Sequence, residues 1–257
     1  MSIAQPQIVS PKSQEGFTFV QISDPQLGFR EEQGFAEGEE LLRSTVATIN
    51  SIHPAFVVVT GDMVNSLTDT AQLKAYLQLI DLIDKSIPVF HLPGNHDMGA
   101  SNKEHREAYL KHYGYDRFAF KYGNCALIGI NSCPIRDNDN DLEQEQYQWL
   151  CNTLEQYADT SLKLLFLHCP IVVHKIDEKE GYSNFSFPMR NRYIELLKSY
   201  GVSAVFAGHL HNTAHCVVDG VEMITCGPSG KPLGSGVSGI NVVKVSNDTF
   251  TFNYLTD

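Results

Sequence analysis

Short, unbroken apolar runs alternate with segments of helical spacing through the first half of the chain. FTFVQIS (residues 17–23) has the length and the β-branched and aromatic content of a strand. After it, EGEELLRSTVATINSI repeats apolar positions three and four residues apart, as an amphipathic helix does. AFVVVTGD (55–62) is apolar at successive positions and leads into TAQLKAYLQLIDLID, again with helical spacing. IPVFHLPGN gives a third strand, and Ser101 with Glu104 fits a capping box opening the helix SNKEHREAYLKHYG. Strands apolar on both faces and joined by helices predict a parallel sheet that is covered on both sides. The second half is richer in strands. RFAFKYG and CALIGINS suit a hairpin, and DLEQEQYQWLCNTLEQYA reads as an amphipathic helix. LKLLFLHCP, VSAVFAGH, AHCVVDG, VEMITCG, GINVVKVS and TFTFNYL follow as strands, the later ones separated by hairpin-like turns. Two packed sheets with helices outside are expected, in one domain (16–257) behind a flexible, polar N-terminus (1–15). The segment 172–192, VVHKIDEKEGYSNFSFPMRNR, is long, polar and aromatic-bearing, which predicts a lid loop over a site.

Composition narrows the partners. Hydrophobic residues make up 42% of 257, as in an ordinary soluble domain. The formal net charge is −11 with no basic cluster, which disfavours binding to a nucleic-acid backbone. The N-terminus lacks the apolar core of a signal peptide, and no window approaches the roughly 20 apolar residues of a membrane span. A cytoplasmic protein with reduced thiols is expected, because the six cysteines are scattered and form no CxxC. Cys169, beside His168 in an apolar run, reads as a core residue with no activating base.

The polar residues collect at the ends of the predicted strands. These are Asp24-Pro25-Gln26, Gly61-Asp62, Gly94-Asn95-His96-Asp97, His168 and Gly208-His209-Leu210-His211. In open α/β sheets sites form outside the carboxyl ends of strands, so the five clusters should converge. Asp24, Gln26, Asp62, Asn95, His168, His209 and His211 offer oxygen and imidazole donors and no thiolate. That set favours Mn, Fe, Zn or Mg over a cysteine-type zinc site. Seven donors exceed the needs of one tetrahedral ion and suit two ions bridged by a carboxylate, an arrangement used for phosphoryl chemistry.

The ordered set D-x-Q, GD, GNHD, H and GHxH resembles the calcineurin-like metallophosphoesterase family, from Asp24 to His211. The resemblance implies a four-layer α/β/β/α sandwich of two mixed sheets flanked by helices, and a hydrolase of phosphoric esters with two divalent metal ions. It implies that Asp24, Gln26 and His211 hold the first metal, that Asp62 bridges, and that Asn95, His168 and His209 hold the second. His96 would give a proton to the leaving oxygen, with Asp97 orienting its ring. Most of the family has His where this chain has Gln26. An amide oxygen is harder and weaker than imidazole, so the first site should bind more loosely or prefer Mn²⁺ or Mg²⁺.

The implied substrates are phosphate monoesters, on a small molecule or as phosphoserine and phosphothreonine in proteins. Small diesters such as cyclic nucleotides are the alternative. A non-catalytic scaffold is the weakest reading, because His96 and Asp97 are both present. Arg30 and Asn65 follow ligand clusters, and Tyr182, Asn184 and Phe185 lie in the lid; all five are candidate substrate contacts. Arg190 and Arg192 are expected on a helix surface. GPSGKPLGSG lacks the ending and context of a phosphate loop and is expected as a glycine-rich turn near the site.

Overall fold

The computed structural model describes residues 5–8, 16–32 and 34–256. The chain runs β1 (Phe17–Ile22), α1 (Ala36–Ile52), β2 (Val57–Val59), α2 (Thr70–Ile80), β3 (Val89–His91), α3 (Asn95–Met98), α4 (Lys103–Tyr113), β4 (Phe118–Tyr122), β5 (Cys125–Gly129), α5 (Cys133–Arg136), α6 (Asn140–Gln156), β6 (Leu162–Phe166), α7 (Phe187–Ser199), β7 (Ala204–Ala207), β8 (Ala214–Val218), β9 (Val221–Thr225), β10 (Gly239–Ser246) and β11 (Thr249–Thr256).

Two sheets result, in the orders β11-β10-β1-β2-β3 and β4-β5-β6-β7-β9-β8. Both are mixed. β1, β2 and β3 pair in parallel, as do β5, β6, β7 and β9, while β10 and β11 and the edge strands β4 and β8 run antiparallel.

Alternation along each strand builds the layers. Phe19, Phe56, Val58 and Phe90 of the first sheet meet Phe118, Leu164, Phe166 and Phe206 of the second in an aromatic-rich interior. The opposite faces, through Val20, Ile22, Val57 and Val59, pack on Leu42, Val46 and Ile49 of α1 and on Tyr76 and Leu79 of α2. On the far side, Ile128, Leu165 and Val205 meet Leu150 and Leu154 of α6 and Tyr193, Ile194 and Leu197 of α7. The fold is therefore the expected four-layer α/β/β/α sandwich.

Gln21 crosses the interior just below the strand ends. Its Nε2 donates to Thr60 Oγ1 (3.0 Å) and to the Ala207 carbonyl (2.9 Å), and its Oε1 accepts from Asn241 Nδ2 (2.9 Å). This buried bridge ties the end of β1 to the end of β7, so the two sheets open at one shared edge.

Several details differ from expectation. Helix α4 starts at Lys103, with Asn102 as its cap accepting from the His105 N–H; Ser101 instead bonds Asp137. Asn102 lies nearer the first turn and needs no glutamate partner. The loop expected to reach residue 192 ends at Ser186, where Phe187-Pro188 opens α7; proline suits a first helical turn. Of the polar N-terminus, residues 1–4 and 9–15 lie outside the described residues. Among the described residues no helix is long and apolar enough to cross a membrane.

Candidate active site

The chain turns sharply as it leaves the strands at the shared edge. Asp24 (φ 48°), Gln26 (34°), Asp62 (52°), His209 (75°) and His211 (50°) all adopt left-handed backbone that non-glycine residues rarely take. Such strain persists where the surroundings over-determine it, and it clusters at functional sites. Backbone bonds hold it here: Asp24 N–H to Gly61 O (3.0 Å), Gln26 N–H to Asp62 O (2.9 Å) and Gly208 N–H to His168 O (2.9 Å). Gly94 and Gly208 allow the segments to touch. A Cβ on the first would collide with Asp62 Oδ1, and one on the second with Ser23 Oγ.

One half of the cluster is dense. Asp62, His168 and His209 bring possible ligand atoms within 4.8 Å of one another. His168 Nε2 lies 3.3 Å from Asp62 Oδ2, 3.2 Å from Asn95 Oδ1 and 3.2 Å from His209 Nδ1. The other ring nitrogens meet carbonyls, His168 Nδ1 on Thr60 O (2.7 Å) and His209 Nε2 on Tyr182 O (3.0 Å). A carbonyl only accepts, so those nitrogens carry hydrogens and the inward ones are the nitrogens that can face a cation, as in metal-binding imidazoles. Burial opposes charge on Asp62, but His168 outweighs it and holds the carboxyl at about 2. Burial likewise opposes charge on His168, and Asp62 raises it to about 9, whereas burial and His168 push His209 down to about 3.

The other half is sparser. Asp24 Oδ1 and Gln26 Oε1 are buried and have no hydrogen-bond partner among the described residues. His211 Nε2 lies 3.5 Å from Asp24 Oδ1, with its Nδ1–H donating to Lys231 O at 2.7 Å. Asp24 Oδ2 accepts from Ser23 Oγ (2.5 Å) and from the His209 N–H (2.9 Å), and Gln26 Nε2 donates to Asn65 Oδ1 (3.3 Å). Burial raises the Asp24 carboxyl despite the nearby imidazoles. Buried oxygens are seldom left unpaired. A carboxylate oxygen and an amide oxygen without donors, beside an inward imidazole nitrogen, fit a second divalent cation. Lys231 belongs to the glycine-rich segment 227–236, and Gly230 N–H donates to Asp24 O (3.1 Å), so that turn does border the site.

His96 stands at the rim, half-buried. Its Nδ1 lies 2.8 Å from the Asn65 carbonyl, which makes Nδ1 the donor and leaves Nε2 as the reactive nitrogen. Its backbone N–H donates to Asp62 Oδ1 (2.8 Å). The orienting role expected of Asp97 belongs instead to the Asn65 carbonyl. Asp97 Oδ1 accepts from Met63 N–H (2.9 Å) and Val64 N–H (3.3 Å), and Oδ2 from Gly94 N–H (2.9 Å). Sitting in the first turn of α3, Asp97 folds back to its start, as an N-terminal carboxylate does, and ties segment 62–65 to segment 94–97.

A family model described as calcineurin-like phosphoesterase matches residues 17–213. The chain belongs to the calcineurin-like phosphoesterase family. It is a metal-dependent phosphoric ester hydrolase of a family that uses a dinuclear metal centre. It is 30% identical to serine/threonine-protein phosphatase CPPED1 of Danio rerio, across 93% of this chain and 84% of that protein. It is 25% identical to a probable glycerophosphodiester phosphodiesterase, GpdQ, of Arcobacter nitrofigilis, across 80% of this chain and 76% of that one. A crystal structure of a dimetal phosphatase from Danio rerio shares the fold with a TM-score of 0.72 at 16% identity, covering 93% of this chain and 96% of that one.

The loop of this phosphoesterase brings one candidate to the cluster and keeps two away. Tyr182 is exposed; its hydroxyl accepts from Asn95 Nδ2 (3.2 Å) and its ring lies 4.6 Å from that of His209. Phe185 is fully buried against Tyr193 and presents no surface to a substrate. Asn184 is buried too and braces the loop, bonding Gly181 N–H, Glu178 Oε1 and Lys179 O. The polarity of Asn184 and the aromatic ring of Phe185 serve the loop's own packing. Arg30 is exposed at the rim with its guanidinium 5.7 Å from the Phe29 ring, which itself lies 4.6 Å from His211.

Arg190 is not on a helix surface. It is wholly buried, and its guanidinium donates to the carbonyls of Ile176 (2.6 Å), Glu178 (2.8 Å) and Phe185 (3.1 Å). The loop is therefore clamped from inside, which an arginine two residues from Arg192 on one helix did not disclose. Arg192 keeps to the expected face and pairs with Glu143 at 2.8 Å. Arg136, whose guanidinium lies 5.4 Å from the Tyr182 ring, carried no signal in the sequence. Cys169 is buried and burial raises its thiol, as befits a core residue; all six cysteines are free.

Proposed function

We propose that this phosphoesterase hydrolyses phosphate monoesters, with phosphoserine and phosphothreonine in proteins as its substrate class. The observation that carries the reading is the state of the four imidazoles at the strand ends. His168, His209 and His211 each donate their outer N–H to a carbonyl and turn the other nitrogen inward, whereas His96 donates Nδ1–H to a carbonyl and keeps Nε2 at the rim. Three are prepared as ligands and the fourth as an acid. Asp24, Gln26 and His211 would hold one divalent ion, Asn95, His168 and His209 the other, and Asp62 would lie between them. When bound, the two ions supply charge stabilisation to the phosphoryl oxygens and lower the pKa of water. The donor set is of oxygen and nitrogen only, which suits Mn, Fe, Zn or Mg.

The residues of the chain do the rest. A water oxygen bonds to phosphorus opposite the leaving oxygen, and His96, protonated, gives its Nε2 proton to that leaving oxygen as its bond to phosphorus breaks. The Asn65 carbonyl keeps the ring aimed, and the His96 N–H keeps Asp62 in place. Support for protein-borne phosphate comes from the half-exposed rim at His96 and Tyr182, and from relatives named as serine/threonine-protein phosphatases across 93% of the chain. A diesterase is the second reading, supported by the similarity to a protein named as a phosphodiesterase.

Matched aryl phosphate monoester and diester substrates with Mn²⁺, a chelated control and His96→Ala test the choice. Metal-dependent monoester turnover that the variant loses, followed by phosphopeptide turnover, is the expected result. Preference for the diester would move the second reading to first place. No turnover on either would overturn both.

A further inference from the structure

We infer that Tyr182 is a positioning residue for the second metal site, fixing two of its donors from the loop. The inference rests on the metal-dependent reading above but not on the identity of the substrate.

An asparagine ligand has an ambiguity that a carboxylate lacks. One end of its amide can face a cation and the other repels it, because the NH₂ group is donor-only. In Asn95, Oδ1 faces the cluster, 3.2 Å from His168 Nε2. The NH₂ group left over needs an acceptor, and the Tyr182 hydroxyl stands 3.2 Å from it. The same residue acts on His209 through its backbone: the Tyr182 carbonyl receives the His209 Nε2–H at 3.0 Å, which leaves Nδ1 as the inward nitrogen. One loop residue thereby takes up the outward NH₂ group of Asn95 and sets the tautomer of His209. Its ring rests on the His209 ring at 4.6 Å and is backed by the Arg136 guanidinium at 5.4 Å.

The loop is built to deliver this. Burial works against the charge of Glu178, yet it stays below the usual range, because it accepts N–H bonds from Val173 (2.8 Å), His174 (2.7 Å) and Lys175 (3.3 Å) and one from Asn184 Nδ2 (2.8 Å). Buried Arg190 gathers three loop carbonyls from below, and Phe185 anchors the far end in the core. A loop fixed at both ends of its turn presents Tyr182 already in position. Its exposure is then no sign of mobility; it is what remains of a residue whose polar groups point at ligands.

Partners of this kind typically change metal affinity by about 10–100-fold when removed. The experiment is Mn²⁺ titration, followed by electron paramagnetic resonance. The His211→Ala background retains the second donor set, and the His209→Ala background retains the first. Tyr182→Phe removes the hydroxyl and keeps the ring and the carbonyl. Expected is a loss of roughly tenfold in the His211→Ala background and less than about twofold in the His209→Ala background. In an Asn95→Asp background, where either oxygen can face the cation, the Tyr182→Phe loss should shrink several-fold. Equal losses in the two histidine backgrounds, no loss in either, or an undiminished loss in the Asn95→Asp background would each overturn the inference. Failure of the unsubstituted chain to bind two Mn²⁺ would overturn the metal reading beneath it. Mn²⁺ binding that responds to Tyr182 in a chain hydrolysing neither ester would leave the inference standing and remove the proposed function alone.

Discussion

The two halves of the proposed metal cluster each offer one amide to a cation, and the two amides are held differently. Asn95 lies beside two imidazoles and a carboxylate whose possible ligand atoms fall within 4.8 Å of one another, and a tyrosine on a braced loop takes up its NH₂ group. Gln26 faces a more open set, where Asp24 Oδ1 and its own Oε1 lack partners among the described residues, and its NH₂ group is held at a longer 3.3 Å by Asn65. Asn65 also carries the carbonyl that aims His96. The second half is thus pre-organised by the loop and the first by the residue next to the acid. A dense, braced donor set should bind its ion more tightly; a sparse one with orphaned oxygens should depend more on which ion arrives.

The largest expected effect removes what the halves share. Asp62→Ala should lose both ions and reduce turnover to that of the chelated protein, read as metal content of the purified variant. Retention of one full equivalent of metal would mean that the halves are independent and that Asp62 does not lie between the ions. His96→Ala should leave metal content intact and lower turnover on a poor leaving group by about 10²–10⁴-fold. Equal rates for the variant and the parent on such a substrate would remove His96 from the chemistry.

The loop offers a third way to separate the halves. Arg190→Met keeps much of the buried volume and removes the donors to three carbonyls. Losing charge-assisted bonds from buried acceptors should destabilise the fold by about 3 kcal/mol, seen as a lower urea midpoint. The second site should weaken several-fold in the His211→Ala background with the first unmoved in the His209→Ala background. A stable variant with both sites unchanged would show that the loop does not need its clamp.

The asymmetry was only partly legible in the sequence. Two packed sheets with helices outside followed from unbroken apolar strands and helical spacing, the four-layer order came with the family resemblance, and the five clusters could be placed at strand ends because apolar runs stop abruptly at Asp24, Asp62 and Asn95. Their convergence needed the sheets to share an edge, which the order of strands implies but no local signal states. Which residue orients which did not follow. Asp97 stands beside His96 in sequence, yet its carboxylate closes the start of its own helical turn, and a backbone carbonyl thirty-one residues earlier aims the ring. Backbone carbonyls carry no side-chain identity, so bonds to Thr60, Tyr182 and Lys231 are invisible in a string of letters. The left-handed backbone at five donor positions is equally hidden, because Asp, Gln and His there do not announce it as glycine would.

The smallest effect bears most directly on the amides. Gln26→His exchanges a hard amide oxygen for an imidazole, which suits Zn²⁺ better than Mn²⁺. In the His209→Ala background the Zn²⁺-over-Mn²⁺ preference of the first site should rise, by roughly tenfold if the ring reaches the position of Oε1, or about 1.4 kcal/mol. The second site should keep its preference in the His211→Ala background. The substitution also takes away the donor to Asn65 Oδ1. If Asn65 needs that bond to hold its backbone, the tighter site will come with a weakened acid, and the rate on poor leaving groups will fall while the metal preference rises. If the carbonyl of Asn65 is held by its own N–H, which donates to Leu27 O (3.0 Å) and Gln72 Oε1 (3.1 Å), the rate will be unaffected and only the metal will change. Those two backbone bonds favour the second outcome. A competition titration beside a leaving-group series on the same variant separates them, and an unchanged metal preference would mean that residue 26 does not face the first ion.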